Sequence, residues 1–370
     1  MKVLNLLSTG DSGGIEVLCR NIGLNSNNQT AFCFLFGEGI IFEKMKKEGL
    51  KVMSFSDTKR ISIKKSKDIV HLARDYDIIV AHHNDPFLQW YYLWLKNIYP
   101  EKKYILMRHS CYDVNVYLYR YNVVKRLIRK RIMIKAMNIS DAIVFVSEAG
   151  KNSFEEYFDL SRKKCFVVYN GIDKEILKQG EKHAVSRDDV NNLVYIGRLY
   201  EGKGVRNLIY AVNKIKEKYK CHLYIVGEGP SKNDLQLMTQ EMRLDKVVSF
   251  TGQKADIIPY LRKGSIFVYP SIVKEVFGIS LVEAMSFGLI CVSNSVGGIP
   301  EIIKNEKNGF LTEAPDEESL VKTLESAFNI LNTEKEYTIR SNAKMTAKQF
   351  SIDETIISLE NVFMDVFKND

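Results

Sequence analysis

The run Leu193-Val194-Tyr195-Ile196-Gly197-Arg198-Leu199-Tyr200-Glu201-Gly202-Lys203-Gly204 passes directly from four apolar or aromatic residues into a polar loop carrying glycines and two cations. A short apolar run that stops at glycine reads as a buried strand, and one without alternation reads as a strand covered on both faces. The pattern recurs downstream at 223–226, 247–250, 266–269 and 290–293. Upstream it appears at 3–7, 31–36, 78–81, 104–107, 142–146 and 166–169, with helix-period segments such as 63–73 and 123–137 between strands. Such alternation predicts an α/β protein with parallel sheets, helices on both faces and right-handed crossovers. The scheme runs twice, so two domains are expected, 1–175 and 176–350, with the polar stretch 174–192 as an exposed linker after Asn170-Gly171-Ile172-Asp173. At the far end Ile352, Ile356, Leu359, Phe363 and Val366 fall on one helical stripe, which a C-terminal helix must bury.

Composition agrees with two globular cores: 370 residues, 45% hydrophobic and 26% charged. No apolar run approaches the roughly 18 residues needed to span a bilayer. Met1-Lys2-Val3-Leu4-Asn5-Leu6-Leu7 gives way at once to Gly10-Asp11-Ser12-Gly13-Gly14, which reads as a first strand and not as a signal peptide. A cytoplasmic protein is expected. The six cysteines are scattered without metal-ligand spacing and read as small core residues. A net charge of +8 favours anionic partners such as phosphates or an acidic membrane face, and is too mild to imply nucleic acid.

In open parallel sheets ligands bind beyond the carboxyl ends of the strands, where three segments concentrate polar groups. Gly10-Asp11-Ser12-Gly13-Gly14-Ile15-Glu16 offers paired glycines ahead of a helix, suited to a phosphate or to an ordinary tight turn. It is not G-x-G-x-x-G, which argues against a nicotinamide cofactor. The loop 197–204 presents Arg198 and Lys203, a fork and a point charge for phosphate oxygens. Glu275-Val276-Phe277-Gly278-Ile279-Ser280-Leu281-Val282-Glu283 predicts Glu275 on a loop, a helix starting at Phe277 and Gly278, and Glu283 two turns inside. Free amides at such a start hold donor oxygens, while the two carboxylates suit sugar and ribose hydroxyls.

The nonapeptide resembles the E-x7-E signature of the retaining glycosyltransferases of family 4 (glycosyl transferases group 1), which have the GT-B fold. Further segments carry the resemblance over nearly the whole chain: Gly13-Gly14-Ile15-Glu16, Ser147-Glu148, Asn170-Gly171-Ile172-Asp173, Gly197-Arg198 with Lys203-Gly204, Gly227-Glu228-Gly229-Pro230, Phe250-Thr251-Gly252, Gly297-Gly298-Ile299-Pro300-Glu301 and Asn308-Gly309-Phe310-Leu311. The resemblance implies two Rossmann-like α/β/α domains facing each other across a deep cleft, with the C-terminal helix, 351–370, joining the first domain. It implies that Arg198 and Lys203 hold a diphosphate, with Glu275 and His109 as further catalytic candidates. Gly13, Gly14, Gly197, Glu228, Val276, Phe277, Gly278, Ile279 and Glu283 are the implied donor-binding positions.

His109 follows strand 104–107, where the family often places a histidine near the donor sugar, and is a candidate for positioning donor or acceptor. His82 and His83 end strand 78–81 and are further candidates. Asp75-Tyr76-Asp77 matches a literal D-x-D but precedes its strand, at the amino edge, so neither metal nor other cofactor is expected. Two cations can neutralise a leaving diphosphate instead. The basic stretch 120–135 fits either an amphipathic helix on anionic lipid or a core helix with a basic outer face.

The expected function is therefore sugar transfer from a nucleotide-diphosphate donor, UDP-linked by preference, to a glycan or lipid-linked acceptor. Bacterial surface polysaccharide synthesis in the cytoplasm is the expected setting, and peripheral attachment to the inner face of the plasma membrane is the second reading, tied to the lipid-docking alternative for 120–135. Loops 82–90 and 109–122 are the expected acceptor walls. A nucleotide-sugar epimerase of the same fold, or a non-catalytic subunit of another transferase, are the alternatives. The first needs acid/base carboxylates that the sequence does not display; the second would be free to lose Arg198, Lys203, Glu275 or Glu283, and all four are present.

Overall fold

The structure is a computed structural model and describes residues 1–11, 13–55, 61–82, 85–113, 122–184 and 191–368. The chain divides into two compact units, 1–171 with 352–370 and 172–351. The first unit is built on a seven-stranded sheet, β1 (Lys2–Leu7), β2 (Gln29–Phe34), β3 (Lys51–Ser54), β4 (Ile78–Ala81), β5 (Lys103–Arg108), β6 (Ala142–Phe145) and β7 (Cys165–Val167). Their order is β3-β2-β1-β4-β5-β6-β7, and every pairing is parallel. The second unit holds β8 (Asn191–Ile196), β9 (Cys221–Val226), β10 (Val248–Gly252), β11 (Ile266–Tyr269), β12 (Ile290–Asn294) and β13 (Phe310–Thr312). These run β10-β9-β8-β11-β12-β13, again parallel throughout. Each sheet therefore reverses its direction of growth once, between β1 and β4 in the first and between β8 and β11 in the second. Those two points are where such sheets take ligands.

The strands read from apolar runs are all present, with ends shifted by at most two residues. Two edge strands were not legible. β3 is Lys-Val-Met-Ser with every residue at least partly exposed, and β13 spans three residues. An edge strand need not be apolar on both faces, so it lacks the continuous run that marks the interior. The expected linker also contains structure: Lys174–Lys182 is a helix whose N-cap Asp173 accepts from the Glu175 amide at 2.8 Å. Gly180 in that helix lies so close to the helix Ile279–Ser286 that a Cβ would stand 2.5 Å from the Ser286 carbonyl oxygen.

In the first unit the C-terminal helix Ile352–Phe367 buries Ile352, Ile356, Leu359, Phe363 and Val366, the stripe expected from spacing. Thr355 Oγ1 donates to the Tyr169 carbonyl at 2.9 Å, and Lys164 pairs with Asp365 at 2.8 Å. In the second unit the helix Glu334–Gln349 braces Ile279–Ser286 from behind. Arg340 Nη1 donates to the Gly288 carbonyl at 2.6 Å and to the Ser265 carbonyl at 3.1 Å, so a cation closes the negative end of the site helix.

Asp77 lies at the amino ends of the strands, where its carboxylate accepts from the Lys2 amide at 2.8 Å. The literal D-x-D is thus at the edge opposite the loops that matter. The helix Val123–Ile139 buries Met133, Ala136 and Met137, whereas Val123, Val124, Leu127 and Ile128 in its first turns are each more than half exposed. Residues 120 and 121 of the basic stretch, His83, and parts of the expected acceptor loops lie outside the described residues.

Among the described residues no helix is long and apolar enough to cross a membrane. The six cysteines are free thiols, three of them buried.

Candidate functional site

In the second unit four loops leave the carboxyl ends of β8, β9, β11 and β12 and are tied together through their backbones. The Gly197 amide donates to the Val226 carbonyl at 3.0 Å, Leu199 to Glu228 at 2.8 Å and Ser231 to Leu199 at 3.0 Å, joining the loops after β8 and β9. The Ile272 amide donates to the Gly202 carbonyl at 3.0 Å, and Gly298 to Glu275 at 2.7 Å, extending the lacing to the loops after β11 and β12. Two glycines make this approach possible. Gly204 has φ 66° with a Cβ position 1.9 Å from the Pro270 carbonyl oxygen; Gly297 has φ 57° with one 2.0 Å from that of Glu275. Any side chain at either position would meet backbone.

The lacing brings Lys203 and Glu275 together at the switch point, though 72 residues separate them. Lys203 Nζ donates to Glu275 Oε1 at 2.6 Å and to the Tyr269 hydroxyl at 3.2 Å, and lies 5.2 Å from the centre of the Tyr269 ring. Ser271 Oγ donates to the same Glu275 oxygen at 2.5 Å. Burial, reinforced by the Glu275 charge, holds the Tyr269 hydroxyl well above its ordinary pKa, so it stays protonated. The third Lys203 proton and Glu275 Oε2 make no hydrogen bond to the described residues, which leaves one donor and one acceptor side by side. Tyr269 and Ser271 escaped the sequence reading. Their only signal is position, at the end of β11 and two residues beyond it.

Arg198 is exposed; its carbonyl accepts from the Tyr195 hydroxyl at 3.0 Å, and its guanidinium has no hydrogen bond or ion pair among the described residues. Glu228 is also at the surface, paired with Lys232 at 2.5 Å. Val276 and Phe277 lead to Gly278, which precedes the helix Ile279–Ser286 with ψ 79° and no side-chain cap. That non-helical ψ delays the helix start to Ile279, so Glu283 stands one turn inside it, not two. Burial pushes the Glu283 carboxyl up to about 7, with the negative charge of Asp173 adding to the effect.

The remaining candidates belong to the first unit. Gly13 caps the helix Gly14–Asn25, and the Glu16 carboxylate in its first turn folds back so closely that a Cβ on Gly13 would stand 2.3 Å from Oε2. His109 follows β5 and meets His82, which follows β4, with His82 Nδ1 and His109 Nε2 3.2 Å apart. The last residue of β5, Arg108, is fully buried with its guanidinium 5.1 Å from the Phe154 ring centre.

Comparison with known proteins places these features in a family. The model described as glycosyl transferases group 1 matches residues 178–345, and that described as glycosyltransferase family 4 matches residues 40–176. The chain belongs to glycosyltransferase family 4.

Among curated relatives, the N-acetyl-alpha-D-glucosaminyl L-malate synthase of Bacillus anthracis is 26% identical over 62% of this chain and 61% of its own length. An N-acetylgalactosaminyltransferase of Campylobacter jejuni, named for a diphospho-undecaprenol-linked acceptor, is 28% identical over 66% of each chain. The family 4 chain thus spans about two thirds or less of the length of these relatives. The Anabaena protein Alr3699/HepE, solved in complex with UDP, superposes with a TM-score of 0.81 over 99% of this chain and 100% of its own, at 21% identity. At that identity the likeness concerns the fold: two Rossmann-like domains of GT-B type.

Proposed function

We propose that the protein transfers a sugar, with retention of configuration and without a metal, from a UDP-linked donor to a glycan or lipid-linked acceptor. The observation that carries this reading is the pairing of Lys203 with Glu275 at the switch point of the second sheet, beside a helix start that no side chain caps. A donor needs a cation for its diphosphate and an acceptor for its sugar hydroxyls within one sugar's width, and this pair supplies both. Lys203 and the uncommitted Arg198 donate to diphosphate oxygens, Glu275 accepts from the sugar, the 276–279 amides meet the remaining donor oxygens, and Glu283 accepts from the ribose. As the anomeric C–O bond breaks, its electron pair passes to the leaving phosphate oxygen, whose charge the two cations offset. The acceptor oxygen bonds to the same face of the anomeric carbon and gives its proton to that phosphate.

The test is transfer and donor hydrolysis by the purified chain against a panel of nucleotide sugars, with and without EDTA. A UDP-sugar should react fastest, EDTA should leave the rate unchanged, and the product should keep the donor's anomeric configuration. Equal inertness toward every donor would refute the reading, and conversion of donor into an epimer with no acceptor present would replace it.

A lipid-linked acceptor, as in surface polysaccharide assembly, fits one further feature. The first turns of Val123–Ile139 expose Val123, Val124, Leu127 and Ile128 among Lys125, Lys130 and Arg131, the mixture that enters an anionic lipid surface. Co-sedimentation with anionic vesicles should fall when Leu127 and Ile128 become Ser; unchanged sedimentation removes the membrane from the proposal.

A further inference from the structure

The switch point of the first sheet carries a buried polar chain that the transfer mechanism above does not use. Asn5 on β1 and His82 just beyond β4 are 5% and 2% exposed, and His82 Nε2 lies 2.9 Å from Asn5 Oδ1. The Asn5 amide is oriented by its other end, since Nδ2 donates to the Ala31 carbonyl at 3.3 Å. Oδ1 therefore faces the imidazole and can only accept, so the His82 proton resides on Nε2. Nδ1 of His82 is then a lone pair, and His109 Nε2 meets it edge to edge at 3.2 Å, with 5.4 Å between ring centres and 21° between planes. A lone pair on one side requires a proton on the other. The Cys19 thiol, 3.6 Å from the same His82 nitrogen, is a second, weaker donor to it. Backbone geometry fixes the order: the His82 amide donates to the Leu6 carbonyl at 3.2 Å, one residue beyond the last β1–β4 pair.

We infer that Asn5 and His82 are positioning residues that hold His109 in its Nε2-protonated tautomer and fix its ring plane. His109, half-exposed at the end of β5, then presents a defined Nδ1 edge, whereas an unsupported imidazole would divide its proton between both nitrogens. For turnover the inference rests on the proposed function and adds to it a role for His109 in positioning donor or acceptor; for the tautomer it stands alone.

The experiment is nitrogen-15 NMR of the full chain labelled at its six histidines, at pH 8, above the ordinary histidine pKa of about 6.5, with His109 assigned from His109→Ala. The parent should show His109 protonated at Nε2 and bare at Nδ1. His82→Phe keeps an aromatic ring of similar bulk and removes the acceptor. Its His109 signals should move toward a tautomer average, and kcat should fall by about tenfold, less than the ~10² that misplacing reacting groups by about 1 Å costs, with the donor KM nearly unchanged. If His82→Phe does not fold, the Asn5 pair gives the same readout: Asn5→Asp, still an acceptor, keeps the tautomer, and Asn5→Leu releases it and lowers kcat.

An Nδ1-protonated His109 in the parent, or unshifted His109 signals in His82→Phe, overturns the inference. A shifted tautomer with unchanged kcat overturns its kinetic half. Failure of the underlying reading looks different: His109→Ala would turn over at the parent rate while the parent's tautomer remained set by His82.

Discussion

The two sheets share one topology, and the chain equips their switch points with opposite chemistry. Between β8 and β11 stand ions: Lys203 and Glu275 in contact, with Arg198 exposed on the same loop as Lys203. On β1 and just beyond β4 and β5 stand an amide and two imidazoles in a hydrogen-bonded line. The helix starts differ in the same sense. Ile279–Ser286 has no acidic residue in its first turn and no side-chain cap, so its positive end is left for an external anion. Gly14–Asn25 turns its own Glu16 carboxylate back over Gly13. The proposed function assigns the diphosphate to the charged point and leaves the other to hydroxyl-bearing groups.

The contrast can be broken most directly at Lys203. Lys203→Ala should lower kcat by about 10²-fold or more, the cost of removing one preorganised charge-stabilising donor. It should leave the His109 tautomer untouched, because that is set within the other sheet. A rate within a few-fold of the parent would dissolve the distinction between the two points. Gly204→Ala attacks the lacing of the second unit alone. With φ at 66° and the Pro270 oxygen 1.9 Å from the new Cβ, it should cost about 2 kcal/mol or more, read as a lower melting temperature. An unaltered melting temperature would mean that the loops are not held as described.

Titration sharpens the comparison further. Glu283 ionises near 7 in the folded protein, whereas the unfolded chain ionises it near 4.5. Nucleotide affinity should therefore decline as pH falls through 7, since the protonated carboxyl loses an acceptor for the ribose. Stability moves the other way. Above 7 the folded state carries a desolvated charge, and that cost is relieved as pH falls toward the unfolded value. Glu283→Gln should flatten both profiles; binding by calorimetry and denaturant midpoints from pH 5 to 8 would measure them. The smallest effect is expected at Glu16. Glu16→Gln removes a charge from the start of Gly14–Asn25 and should cost roughly 0.5 kcal/mol, with nucleotide affinity unchanged. A large loss of affinity would place the first unit's glycines on the donor.

Much of this was readable before any coordinates. Strands buried on both faces must be apolar throughout, so the interior of each sheet announced itself, and edge strands such as β3 did not. Lys203 and Glu275 were legible because each follows a strand end directly. Tyr269 and Ser271 were not, because a tyrosine closing an apolar strand looks like core until its hydroxyl is seen on an ammonium. The helix over 174–182 was hidden by its charged surface; its anchor is the absence of a side chain at Gly180, visible only against Ser286.

The sequence by itself determined two parallel α/β sheets, the family, and the loops that carry charge, since hydrophobic period and glycine position are local properties of the chain. Tertiary structure alone decided which polar groups meet. Contacts such as Lys203 with Glu275, or Asn5 with His82, join residues 72 and 77 positions apart. Their distance in space is set by strand order, which no local pattern encodes.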